Sequence, residues 1–163
     1  MKKIKLVFVS MMLVFMVCFI TSCGQNDHKQ NMEGKSVAFV LTKQFQEEIK
    51  KEKDIEKLAS AIAKNEVLRT SMDVAVLGKD DYISGFQTEI KGFDKVVTIR
   101  PMIGSIPFVA YIFEVENAKE FAENLKSNAD LRWNICTEAD DMEVAVVDNY
   151  VFFVMSPENF EQE

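Results

Sequence analysis

Apolar side chains follow two rhythms along this chain, and each predicts a different kind of element. Ile55, Leu58, Ala59 and Ile62 stand at i, i+3, i+4 and i+7, with Glu56, Lys57, Ser60 and Lys64 facing elsewhere. That is one face of a helix, and Asp54 is placed to cap it. Phe45 and Ile49 carry the spacing backwards through a charged stretch, so a helix is predicted over 44–66, interrupted at 50–53. Ala118, Phe121, Ala122 and Leu125 form a second stripe, with Asn117 at the N-cap and Glu120 at N3, close to a capping box.

Other segments alternate with period two or are apolar throughout. Met72 to Leu77 is apolar apart from Asp73, and Lys95 to Arg100 reads as a further strand. In Phe108 to Val115 both alternating faces are apolar: Phe108, Ala110 and Ile112 on one, Val109, Tyr111, Phe113 and Val115 on the other. Such a strand is expected in the middle of a sheet, covered on both sides. Glu143 to Val147 and Tyr150 to Met155 flank Asp148-Asn149, two residues that tolerate positive φ, which predicts a tight hairpin. Ser156-Pro157 has the N-cap and N1 residues of a short final helix. Pro101 to Pro107 holds two prolines and a glycine, so it is a turn or loop. Three segments stay open: Ser36 to Leu41 (strand or helix start), Asp80 to Ile90 (helix or loop) and Leu131 to Cys136. From residue 95 the order is β, turn, β, α, β, β. The expected fold is α+β, a two-layer sandwich with a mainly antiparallel sheet packed against two or three helices.

The start of the chain follows neither rhythm. Lys2, Lys3 and Lys5 precede an uncharged run of 15 residues, Leu6 to Ile20. As a helix it would reach roughly 22 Å, short of the ~30 Å bilayer core, which suits the apolar region of a secretory signal. An uncleaved anchor and ordinary cleavage near Thr21-Ser22 are the alternatives. Ile20-Thr21-Ser22-Cys23 resembles the lipobox of bacterial lipoproteins: an aliphatic residue, two small residues, then cysteine. The resemblance implies cleavage before Cys23, acylation of its thiol, and a place of work on the extracytoplasmic face of a cell membrane. Residues 1–22 would then be a lipoprotein signal peptide, 23–35 the lipidated cysteine with a polar tether, and 36–163 a single domain. The tether, Gly24 to Lys35, is too polar to fold alone.

Composition narrows the chemistry. Without residues 1–22 the chain keeps 141 residues, enough for one core, with 16 basic and 26 acidic groups and a charge of −10. That balance disfavours nucleic acid and anionic headgroups as partners. The only cysteine beyond the lipobox is Cys136, so no intramolecular disulfide and no zinc site built on paired cysteines is expected. The only histidine, His28, lies in the tether. Residues 36–163 therefore lack Ser-His-Asp, Cys-His and histidine–metal chemistry, and no cofactor or metal is expected.

Two stretches stand out. Leu131 to Asp141 carries the only tryptophan, Trp133, together with Arg132 and Cys136. Trp133 can serve as a stacking wall and Arg132 as a clamp for carboxylate or phosphate. The alternative puts Trp133 and Cys136 in the core, with Arg132 paired to Asp130 or Asp140. Pro101 to Phe108 is unusually apolar for a connection. Met102, Ile103, Gly104, Ser105 and Ile106 make a partner or ligand surface or a loop folded over the sheet end. Gly104-Ser105 lacks the spacing and lysine of a phosphate loop. The acidic clusters, Asp80-Asp81 and Glu138/Asp140/Asp141, lack calcium-loop spacing and read as solvated faces.

Phe86 to Phe93 (FQTEIKGF), Pro101 to Phe108 (PMIGSIPF), Leu131 to Asp140 (LRWNICTEAD) and Val151 to Ser156 (VFFVMS) resemble a family of small bacterial lipoproteins with no established activity. The likeness runs from about residue 54 to 157. It implies one domain on a lipid anchor and carries over no functional residue beyond Cys23. The expected role is a non-catalytic module binding a protein or ligand at the cell envelope. The alternatives are a carboxylate-dependent envelope hydrolase and an accessory subunit of an envelope complex docking through Pro101 to Phe108.

Overall fold

A strand without a polar face must be covered twice, and the fold is arranged around that need. The computed structural model describes residues 34–160; the apolar leader, Cys23, His28 and most of the tether lie outside the described residues. Five strands, β1 (Met72–Leu77), β2 (Lys95–Pro101), β3 (Val109–Glu114), β4 (Asp141–Val147) and β5 (Tyr150–Ser156), form one sheet in the order β1-β2-β3-β5-β4. Every neighbouring pair is antiparallel. Three helices, α1 (Val37–Glu48), α2 (Ile55–Ile62) and α3 (Ala118–Asn128), pack against it, so the chain is α+β.

The helices divide between the two faces. Val97, Ile99, Ala110, Ile112, Phe152 and Val154 join one core with Leu41 and Phe45 of α1 and Leu58 and Ile62 of α2. Phe45 stacks on Phe152 with centroids 5.1 Å apart and planes 15° apart. Truncating a buried phenylalanine such as Phe152 costs about 3–5 kcal/mol. The opposite face, with Val109, Tyr111, Phe113 and Phe153, meets Phe121 and Leu125 of α3 and four residues of one connection: Ile83, Phe86, Ile90 and Phe93. Phe113 meets Phe121 edge-on at 4.9 Å, and Phe86 lies 4.7 Å from Phe153.

Ser36 to Leu41 opens a helix. The Ser36 hydroxyl accepts from the Phe39 N–H at 3.3 Å and donates to the Asp141 carboxylate. Val37, Leu41 and Phe45 recur every four residues on its buried face. The helix expected over 44–66 is thus two helices and a 3-10 turn at Glu66–Leu68; it starts at Val37 and breaks after Glu48, near the expected interruption. Asp54 caps α2, accepting from the Glu56 and Lys57 N–H groups at 3.0 and 3.4 Å. Those bonds hold its carboxyl below the usual range.

Asn117 does occupy the N-cap of α3, but its side chain makes no cap bond. Its φ of −110° and ψ of 69° lie outside the extended geometry that aims such a side chain at the first turn. The hairpin is as expected: Val147 pairs with Tyr150, and Asp148 takes φ 56°. The final helix predicted from Ser156-Pro157 is not formed over the described residues 157–160. Ser156 is the last residue of β5, opposite Asp141. The Glu158 carbonyl accepts from Val37 and its N–H donates to Asp140, while Phe160 packs on Phe108. With its polar groups bonded outward, that segment gains nothing from coiling.

Asp80 to Ile90 is irregular, held by a bridge from Phe86 to Ala129 and by a bond from the Asp130 N–H to the Gly85 carbonyl at 2.9 Å. Gly85 has φ 92°, and a Cβ there would lie 2.6 Å from Met155 Cε. Gly92 has φ 90° and open space around it. Gly92→Ala should cost about 1 kcal/mol from backbone conformation alone. Gly85→Ala should cost somewhat more, about 1–2 kcal/mol, because the flexible end of Met155 must also move. Urea denaturation of both variants checks the order.

Candidate functional site

Two stretches that the sequence singles out separately meet at one end of the sheet. Antiparallel order brings together the end of β2, the start of β3, the start of β4 and the end of β5. The connection 102–108 and the segment 129–140 both leave from there. Asn134 Nδ2 donates to the Gly104 carbonyl at 3.1 Å and to that of Ile106 at 3.4 Å. Thr137 Oγ1 donates to the Ser105 carbonyl at 2.9 Å. Three carbonyls of a proline- and glycine-rich loop thus find donors about 30 residues away in sequence.

Between the loops lies a cleft of 590 Å³, lined by Asp73, Arg100, Met102, Phe108, Trp133 and Ile135 among others. A second, of 940 Å³, opens on the far side of the 102–108 loop beside Arg69, Ile103 and Phe160. Met102 is 74% exposed, Ile103 56% and Ile135 98%. Ile106, by contrast, is half-buried against the α1/α2 core, which fixes the base of the loop. Gly104 and Ser105 form its exposed crest and contribute carbonyls rather than side chains.

Trp133 is half-buried, packed on the α3 side of the sheet while it walls the cleft. Arg132 is largely exposed and pairs with Glu138 at 2.9 Å, not with Asp130 or Asp140, the partners of the core alternative. Asp130 instead accepts from the Arg132 N–H, and Asp140 from the Glu158 N–H. Cys136 is exposed, not a core residue: it lies on the outward turn that Asn134 and Thr137 bond down. Leu131 to Cys136 is a turn-rich loop without strand.

Sequence reasoning missed Asp73, Ser84, Arg100 and Asn134 as cleft residues. Asp73 is the lone acid of an apolar strand, the one sequence signal among them, and it sits 3.7 Å from Arg100. Ser84 carries no such mark. It reaches the cleft because its connection folds up against β3, where the Tyr111 hydroxyl lies 2.9 Å from Ser84 Oγ and donates to the Ser84 carbonyl at 3.1 Å. Burial, partly offset by these bonds, pushes the Tyr111 phenol above its ordinary value of 10.0.

A third cleft, of 820 Å³, lies near the opposite end, with Asp80, Glu89, Asp94, Glu116 and Glu120 beside Lys79 and Lys91. Among the described residues no three His, Cys, Asp or Glu side chains come close enough to hold a metal. No helix there is long and apolar enough to cross a membrane.

Asn134→Ala should free the 102–108 loop, raising its amide exchange while costing about 0.5–1.5 kcal/mol of global stability. Exchange read by mass spectrometry checks it. Folding favours the protonated Tyr111 phenol, whose folded-state pKa is raised. That contribution is therefore intact below pH 10.0 and is lost as the pH climbs past it. Denaturation midpoints taken across that range should fall less steeply in Tyr111→Phe.

No family model matches the chain, and no curated protein or solved structure is significantly similar to it. What the protein does has therefore to be read from its own residues.

Proposed function

We propose that the protein is a lipid-anchored module of the extracytoplasmic membrane face that binds through the paired loops 102–108 and 131–138 and catalyses nothing. One observation carries the binding surface: Asn134 and Thr137 lock two chain-distant loops together while Met102, Ile103 and Ile135 stay exposed. A loop needed only to close the sheet end would turn those side chains inward, as it does Ile106. Anchor and location are supported by Ile20-Thr21-Ser22-Cys23, and the non-catalytic reading by the lack of any histidine after His28.

Acylation has a direct test. Cells expressing the full chain should incorporate labelled fatty acid into it, and Cys23→Ala should abolish the label. A label retained in that variant, or an unmodified wild type, overturns the anchor. Binding has its own: a photo-crosslinking residue at Ile103 or Ile135 should yield adducts in intact cells, and one at Asp148, at the other end of the sheet, should not.

A further inference from the structure

The binding surface and the point where the tether enters the domain share one end of the sheet. Ser36 bonds to Asp141, the first residue of β4, and the Val37 N–H to the Glu158 carbonyl at 3.2 Å, just past β5. The same end carries the paired loops. Cys23 to Lys35 is 13 residues, and a flexible chain of that length has a mean span on the order of 20 Å and a full reach of about 45 Å. A compact domain of some 130 residues is roughly 35 Å across. At its mean span such a tether is shorter than the domain is wide, so a lipid on Cys23 holds this end nearest the bilayer.

We propose that the occupant of this surface is the membrane itself: with Cys23 acylated, Met102, Ile103 and Ile135 enter the boundary between headgroups and acyl chains of the bilayer that holds the anchor. This rests on the lipid-anchor reading above. Three of the six large apolar side chains exposed among the described residues lie on these two loops. Apolar tips over a polar body suit interfacial insertion. The tether also keeps the loops at an effective concentration on the order of millimolar, so weak insertion suffices.

Charge identifies the kind of lipid. The chain's three arginines, Arg69, Arg100 and Arg132, all border these two clefts or the loops between them. Arg100 is 3.7 Å from Asp73 and Arg132 2.9 Å from Glu138, so their charges are answered within the protein. Asp130, Asp140 and Asp141 accept bonds from backbone N–H groups or Ser36. Such a surface does not call for anionic headgroups. It fits a zwitterionic bilayer such as phosphatidylcholine.

Trp133, the only tryptophan in the chain, stands two residues from Ile135 and reports on the contact. The processed, full-length mature protein is reconstituted into vesicles of phosphatidylcholine, plain or brominated on the acyl chains near the headgroup. Flotation reads the anchor and fluorescence reads the loops. Wild type should float, and its emission should be quenched by the brominated lipid. Met102→Asp combined with Ile135→Asp should float equally, keep its melting curve and lose the quenching. Floating wild type without quenching, or quenching unchanged in the double variant, overturns membrane docking and leaves the anchor standing. Wild type that does not float, or Cys23→Ala that floats as well as wild type, overturns the anchor and docking together.

Discussion

β3 has nothing to show to water. Its side chains are apolar towards α1 and α2 and apolar again towards α3, and five of its six residues are buried. Leaving either face open would expose a strand's worth of Val, Phe and Ile at about 25 cal/mol per Å². Everything placed around β3 answers that demand. Two helices cover one face. The single helix on the other is too little, and the connection between β1 and β2 makes up the difference with Ile83, Phe86, Ile90 and Phe93. That explains an irregular segment so rich in buried apolar residues, and it needs Gly85, whose positive φ lets the backbone press against β3 and β5.

A sheet committed on both faces leaves only its ends and edges for contact with other molecules. At one end the Asp148-Asn149 turn is tight, Asp54 caps α2 and Lys95 pairs with Glu56 at 2.6 Å, while the long connection 78–94 that leaves and returns there is spent on covering the α3 face. At the other end two loops are stitched together by Asn134 and Thr137, and their apolar tips stay in the open. The proposed binding surface lies at that end, since the fold cannot spare either face.

Much of this was legible in the chain. Periodicity is strongest where burial is one-sided or complete, so α2, α3 and β3 stand out from Ile55/Leu58/Ile62, Phe121/Leu125 and the unbroken run from Phe108. The start of α1 was not separable from a strand, because Val37 and Val40 are β-branched and the deciding bond, Ser36 to Asp141, spans 105 residues. The absent final helix has the same cause: Pro157 suits a helix start, but Val37 and Asp140 claim the backbone of Glu158. Of the site, both loops could be named separately. Their meeting could not, nor the exposure of Cys136, since which carbonyls Asn134 and Thr137 reach is settled by strand order alone.

The bond between Ser36 and Asp141 bears on how the protein is made. Among the described elements α1 comes first in the chain, yet it packs chiefly on β4 and β5, which come last. Until Tyr150 to Ser156 exists, Phe45 has no ring to stack on and the helix no surface to lie against. So short a helix is marginal by itself, and closing so long a loop is slow. In a nascent chain of this topology α1 has no surface to lie against until β4 and β5 have been made, so the α1 side of the core forms late.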